Sequence, residues 1–193
     1  MYQKGNKILD VLGLFLGDYK SQLYLREISK TAKIPLKTTQ NTLSYMEKNK
    51  ILKSNISGKN KYFKLNLENV HTKLLLMQAE IQKTESFIDY YPLFKTFIKE
   101  IKTIAPLIIF GSFARLQANK NSDVDLLILS REKQKLPVHL LSYKLHQISV
   151  PEKAFIKSLE KQEPLIKEIQ SNHLILNNHS FYINAMWNYY GNK

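Results

Sequence analysis

The chain has 193 residues, with 29 Lys/Arg against 16 Asp/Glu and a formal charge of +13. Hydrophobic residues make up 44% of it, enough for a packed core and too many for a disordered chain. Cysteine is absent, which excludes a disulfide framework and a thiolate metal site, and no apolar run approaches the roughly 18 residues of a membrane span.

No basic start followed by an apolar run marks a leader segment, so the expected setting is soluble and cytoplasmic, with no membrane partner. Residues 1–68 carry 13 Lys/Arg and 5 Asp/Glu, a net of +8. A surface of that sign attracts polyanions through counterion release. Lysine-rich composition alone gives the same excess, so charge does not decide the partner.

In chain order, Lys7–Leu16 has the apolar spacing of a buried helix. Leu25–Lys33 reads as a short amphipathic helix with Ile28 and Ala32 inward, broken by Ile34-Pro35. A third helix is expected over Leu36–Asn49, with Leu43 and Met46 on its inner face. Ile51–Ser57 and Lys61–Leu67 alternate at period two around Gly58-Lys59-Asn60, the pattern of a β-hairpin. Val70–Tyr90 predicts a long amphipathic connector helix, packed on its own domain or paired across a homodimer; both readings stay open. Pro92–Ile104 predicts a further helix, with Phe94, Phe97 and Ile101 inward.

Leu107–Phe110 is a wholly apolar strand followed by Gly111-Ser112-Phe113-Ala114-Arg115. Ser122-Asp123-Val124-Asp125 then leads into a second apolar strand, Leu126–Leu129. A short helix is expected around Pro137–Tyr143 and a strand over Leu145–Val150, with Glu152 opening the next helix. The tail reads as a helix over Glu163–Ser171, an apolar segment over Asn172–Leu176 and an aromatic helix over Phe181–Tyr190. Trp187, Tyr189 and Tyr190 suit core packing or a dimer surface better than stacking on a base.

Several of these residues carry chemistry on their own terms. Gly111 permits a close backbone approach and dihedrals denied to other residues. Ser112 offers a hydroxyl and an amide at a helix start, where anions are favoured. Asp123 and Asp125 are two apart and fall on one side of an extended chain. Two carboxylates beside a phosphate cradle suit Mg²⁺ or Mn²⁺, hard cations that share their shell with phosphates. Arg115 is a fork donor for an anion or a cap for the helix.

Strand, Gly-Ser, short helix and Asp-Val-Asp before a second strand together resemble the minimal nucleotidyltransferases of the polymerase-beta superfamily. The resemblance implies that Gly111, Ser112 and Arg115 bind a nucleoside triphosphate, while Asp123 and Asp125 are the metal ligands and catalytic carboxylates. It also implies a third acid on the next core strand, as a second-metal ligand and proton acceptor. Leu145–Val150 has none; its polar residues are His146, Gln147 and Ser149. That departure leaves transfer activity open and fits a nucleotide sensor or a retired enzyme.

The helices and hairpin of residues 5–68 resemble a winged helix-turn-helix. This implies double-stranded DNA as a partner, with Lys37, Thr38, Gln40, Asn41 and Ser44 at the groove and Lys59 and Lys61 at the wing. The expected fold class is α+β, with a winged helix over 1–68, a helical connector over 69–91 and a mixed-sheet nucleotidyltransferase domain over 92–193. Three functions stand open. One is a DNA-binding, transcription-regulator-like protein that senses a nucleotide. Another is an active nucleotidyltransferase moving NMP to a protein or nucleic acid. The last is a toxin–antitoxin component.

Overall fold

The computed structural model describes residues 6–191; residues 1–5 and 192–193 of the expected end domains lie outside the described residues. The fold is mixed α+β, and the described residues form two compact units: residues 6–79 with 190–191, and residues 80–189.

The first unit opens with helix α1 (Lys7–Gly13), started by Asn6, whose side chain accepts from the Ile8 amide at 3.1 Å. The helix was expected to reach Leu16. It stops at Gly13 because Leu14 and Phe15 donate to carbonyls only three residues back, which tightens the chain into a turn that still buries Phe15 and Leu16. Strand β1 (Leu23–Tyr24) is too short to leave a period in the sequence. Helix α2 (Leu25–Thr31) follows, with Glu27 accepting from the Tyr24 amide. The turn to helix α3 (Leu36–Lys48) is pinned by the Ser29 and Thr39 hydroxyls, both donating to the Ile34 carbonyl.

Strands β2 (Leu52–Ser57) and β3 (Asn60–Leu65) form the expected hairpin, with Ser57 facing Asn60 across Gly58-Lys59 and Gly58 at φ +58°. The sheet order is β1-β3-β2, antiparallel throughout. The strand expected to continue to Leu67 ends at Leu65. Asn66 turns back there, its amide donating to the Ile51 carbonyl and its side chain to the Lys50 carbonyl at 2.7 Å.

Helix α4 (Val70–Tyr90) runs unbroken, residues 70–79 counting with the first unit and 80–90 with the second. In the second unit, helix α5 (Leu93–Lys99) stops short of the expected Ile104. Asn177 and Asn178 side chains take the carbonyls of Thr103, Ala105 and Ile104, so distant hydrogen bonds hold this segment out of the helix. Strand β4 (Leu107–Phe110), the single turn α6 (Gly111–Ala114) and strand β5 (Val124–Leu129) come next. A 3₁₀ turn (Val138–Leu140) replaces the longer helix expected at Pro137–Tyr143. Strand β6 (Leu145–Val150), helices α7 (Glu152–Lys161) and α8 (Pro164–Ser171), strand β7 (Leu174–Asn177) and helix α9 (His179–Gly191) complete the chain.

The second sheet has the order β6-β5-β4-β7. β4 is antiparallel to both neighbours, and β5 and β6 are parallel. Leu107, Ile109, Leu126, Ile128 and Leu174 bury one face against Phe87, Phe94, Phe97 and Phe113. The alternate residues Ile108, Leu127 and Ile175 are fully buried on the other face. A sheet covered on both sides explains why these strands read as continuous apolar runs.

Candidate functional site

The Gly-Ser turn is fixed from below. Phe113 is fully buried and packs against Tyr91, Phe94 and Tyr143, with ring centroids 4.8 to 5.6 Å apart. Gly111 sits at φ +70°, in the left-handed region that favours glycine. A Cβ there would stand 2.5 Å from Asp125 Oδ2, so only glycine lets this backbone lie against that carboxylate. Ser112 is half-buried beside it. Because α6 is one turn of four residues, its dipole adds little to anion binding; the close backbone approach is the stronger feature.

Asp125 is the second residue of β5, opposite Phe110 on β4 and His146 on β6. Its neighbours Val124 and Leu126 point into the core, which turns Asp125 to the other face with Leu127. Asp123 stands one residue ahead of the strand and is exposed. The loop that delivers it is built by Asn119 and Ser122, whose hydroxyl accepts from the Asn119 amide at 2.9 Å. The Val124 amide then locks to the Lys144 carbonyl at 2.8 Å.

The strand expected to lack an acid is present, and the parallel register puts His146 directly beside Asp125. His146 Nδ1 lies 3.1 Å from Asp125 Oδ1, with the two side chains 61% and 30% exposed. Gln147 and Ser149 are also exposed on β6. The sequence marked His146 as a polar candidate; the pairing was hidden because nothing in either strand reveals the register of a parallel pair. Arg115 is exposed and its Nη1 donates to Glu168 Oε1 at 3.3 Å, a contact 53 residues away with no local signal. Glu152 is the first residue of α7, as expected, and Trp187, Tyr189 and Tyr190 are half-buried on α9.

In the first unit, α3 buries Thr39, Leu43 and Met46 and exposes Lys37, Thr38, Gln40, Asn41 and Ser44 on its other side. Lys59 is exposed at the hairpin turn. Lys61 is exposed too, but its ammonium donates to Glu47 Oε2 at 2.7 Å and lies 5.4 Å over the Phe63 ring. Glu47 also accepts from the Ser54 hydroxyl, so one carboxylate on α3 holds both strands of the hairpin. The hydrogen bonds of Lys61 and Ser54 hold the Glu47 carboxyl below its usual range. Sequence reasoning missed Glu47, an acid in a basic stretch with no motif of its own.

Residues 93–180 match the family model Polymerase beta, Nucleotidyltransferase. The match covers somewhat less than half of the chain and takes in β4 to β7, with Gly111, Ser112, Asp123, Asp125 and His146. The second unit therefore carries a nucleotidyltransferase-fold domain. No curated protein and no solved structure matches the chain. No helix among the described residues is long and apolar enough to cross a membrane. Nucleotidyltransferase domains in general use an NTP and a divalent metal. Among the described residues no three Asp, Glu, His or Cys side chains cluster at metal-holding distance. Asp125 with Gly111 pressed against it, and Asp123 exposed just upstream, still fit an ion that completes its shell with phosphate oxygens and water.

Proposed function

We propose that the nucleotidyltransferase-fold domain binds a nucleoside triphosphate together with a divalent ion, and that residues 1–68 direct it to duplex DNA in a transcription-regulator-like role. The observation that carries the nucleotide half is the close approach of Gly111 to Asp125 at the Gly-Ser turn, where Asp125 Oδ2 lies 2.5 Å from the place a Cβ would take. In this reading Gly111 and Ser112 present amide and hydroxyl to the phosphates, and Asp123 and Asp125 hold Mg²⁺ or Mn²⁺. Bound there, the ion neutralises phosphate charge. Arg115 is close enough to the turn to add a donor once it leaves Glu168.

Support for the DNA half comes from the order α1-β1-α2-α3-β2-β3, the antiparallel hairpin and the exposed polar side of α3. That order favours the winged-helix reading. The side chains exposed on α3 are amide, hydroxyl and lysine, suited to adenine edges, thymine methyls and phosphates.

A second reading keeps transfer of NMP to an acceptor. It draws on the same turn and aspartates, but the neighbouring strand offers His146 beside Asp125 where a third carboxylate would be expected. The binding role is favoured on that observation.

Incubation with each α-labelled NTP and Mg²⁺ or Mn²⁺, with and without duplex, separates the two. The expected outcome is NTP binding that falls about ten-fold or more in Asp123→Ala/Asp125→Ala, with no label transferred. Transfer abolished by that double variant would establish the second reading instead. For the DNA half, Lys37→Ala, Gln40→Ala and Lys59→Ala are expected to weaken duplex binding, each lysine lowering the salt slope by about one. An affinity indifferent to salt would remove DNA as the partner.

A further inference from the structure

We infer that the outer face of the sheet β1-β3-β2 is a seat for single-stranded nucleic acid, with phosphates on Lys20, Lys53 and Lys64 and an unpaired base on the Tyr24–Tyr62 ring pair. The inference stands apart from the duplex reading above, which uses α3 and the hairpin turn.

Strand alternation separates the two faces of this sheet. On β3, Phe63 and Leu65 are buried and Lys61 reaches Glu47 on α3, so these positions face the helices. Tyr62 and Lys64 therefore turn away from α3. Their register partners turn the same way: Asn55 and Lys53 on β2, and Tyr24 on β1.

Charge is the first ground. Lys53 and Lys64 stand directly opposite one another across the β2–β3 pair, a placement of like charges that costs a sheet stability. Lys20 joins them around a groove of about 290 Å³, with Gln22 also on its wall. One acid, Glu68, enters the groove; it pairs with Lys53 at 2.7 Å and is itself 81% exposed. Asp18, two residues from Lys20, accepts from the Lys20 backbone amide at 2.9 Å. Lys20 and Lys64 are exposed and join no ion pair among the described residues. Three cations against one acid make the groove complementary to a phosphate chain, which displaces the open Glu68 from Lys53.

The rings are the second. Tyr24 and Tyr62 meet edge to face with centroids 5.9 Å apart, and both are half-buried, so part of each ring meets solvent. Tyr62 is two residues from Lys64 along β3, roughly 7 Å, within reach of a base whose phosphate sits at Lys64. Cross-strand packing accounts for the contact between the rings but not for the lysines lined up beside them. Lysines beside an open aromatic ring hold single strands, because the backbone follows the charge while the bases stack on the rings. A duplex would use the lysines alone, since its bases are already stacked on one another.

The test is fluorescence anisotropy of labelled oligo(dT), oligo(U) and a duplex, titrated with the full-length protein and with Tyr62→Leu, Tyr62→Phe and Lys64→Ala. Thermal unfolding checks that each variant is folded. Tyr62→Leu is expected to lose about five-fold or more in affinity for single strands, with duplex affinity within about two-fold of wild type. Tyr62→Phe keeps the ring and is expected to bind single strands within about two-fold of wild type. Lys64→Ala is expected to lower the salt slope of single-strand binding by about 0.7. Binding of both strands, or of either one, meets the proposal, and a preference for oligo(U) or oligo(dT) names RNA or DNA as the strand. The proposal is overturned if wild type binds neither strand, if Tyr62→Leu binds them like wild type, or if that variant loses as much affinity for duplex as for single strands. Lys64 is exposed, so Lys64→Ala tests the seat even where the tyrosine variant fails to fold; an unchanged salt slope overturns it.

Discussion

The second unit contains two carboxylate–histidine pairs, and they differ in nearly every physical respect. Asp125 and His146 meet at 3.1 Å on the sheet, both partly open to solvent. Glu80 and His173 meet at 2.7 Å with neither side chain exposed at all. Around the second pair His173 is fully engaged, while Glu80 Oε2 is buried without a hydrogen-bond partner among the described residues. His173 Nδ1 donates to the Ile169 carbonyl at 2.9 Å, Tyr182 places its hydroxyl 3.2 Å from the same nitrogen, and the two rings meet tilted at 38° with centroids 4.5 Å apart. Thr84 ties in the Ile175 carbonyl and His179. The buried pair joins α4, the end of α8, β7 and α9; the open pair joins two strands and faces outward. The same two functional groups are therefore locked into the packing in one place and open to solvent in the other, and burial makes the difference.

The sharpest way to break this comparison is to truncate both. Glu80→Ala or His173→Ala leaves a buried polar partner unpaired and is expected to cost about 3–5 kcal/mol. His146→Ala is expected to change stability by no more than about 0.5 kcal/mol. Chemical denaturation monitored by circular dichroism reads both, and equal losses would mean that the open pair is structural too.

Acidity offers a second, smaller contrast. Burial pushes the Glu80 carboxyl up, yet the charge and hydrogen bond of His173, helped by Lys83 and His179, leave it below its ordinary 4.5. A depressed acid stabilises the fold above its unfolded value and loses that contribution as pH falls through the folded one. Burial also lowers His179 from 6.5, against the pull of Glu80. The unfolded chain takes up that proton first, so stability begins to fall as pH drops below about 6.5, and falls further below about 4.5 as Glu80 protonates. His179→Asn is expected to flatten the upper step alone, measured as the denaturation midpoint between pH 7.5 and 5.

Gly111→Ala probes the open pair from the side. The left-handed backbone costs roughly 1–2 kcal/mol with a Cβ, and that Cβ also collides with Asp125 Oδ2. NTP affinity is expected to fall about as far as in Asp125→Ala, while the midpoint moves only modestly. An alanine variant that binds NTP normally would show that the close approach has no part in the site.

The sequence made the Gly-Ser turn, the Asp-Val-Asp segment, the three helices and hairpin of the first unit, and the acid-free next strand legible, because each depends on residues near one another. It was blind where the deciding contact is remote. Asn177 and Asn178 end α5 from more than 70 residues away. His146 meets Asp125 only through a parallel register, and Glu168 takes Arg115 across the fold. The two residues of β1 were too few to show a period, and α7 showed only through Glu152 at its start.

The place of β7 has a consequence for how the chain is made. β4 lies inside its sheet only because residues 174–177 come to pair with it. On the ribosome, Leu107–Phe110 emerges with an apolar strand edge uncovered, and stays so on the order of seconds until the last strand appears. A transcript cut short after β6 would yield a sticky protein rather than a smaller working one.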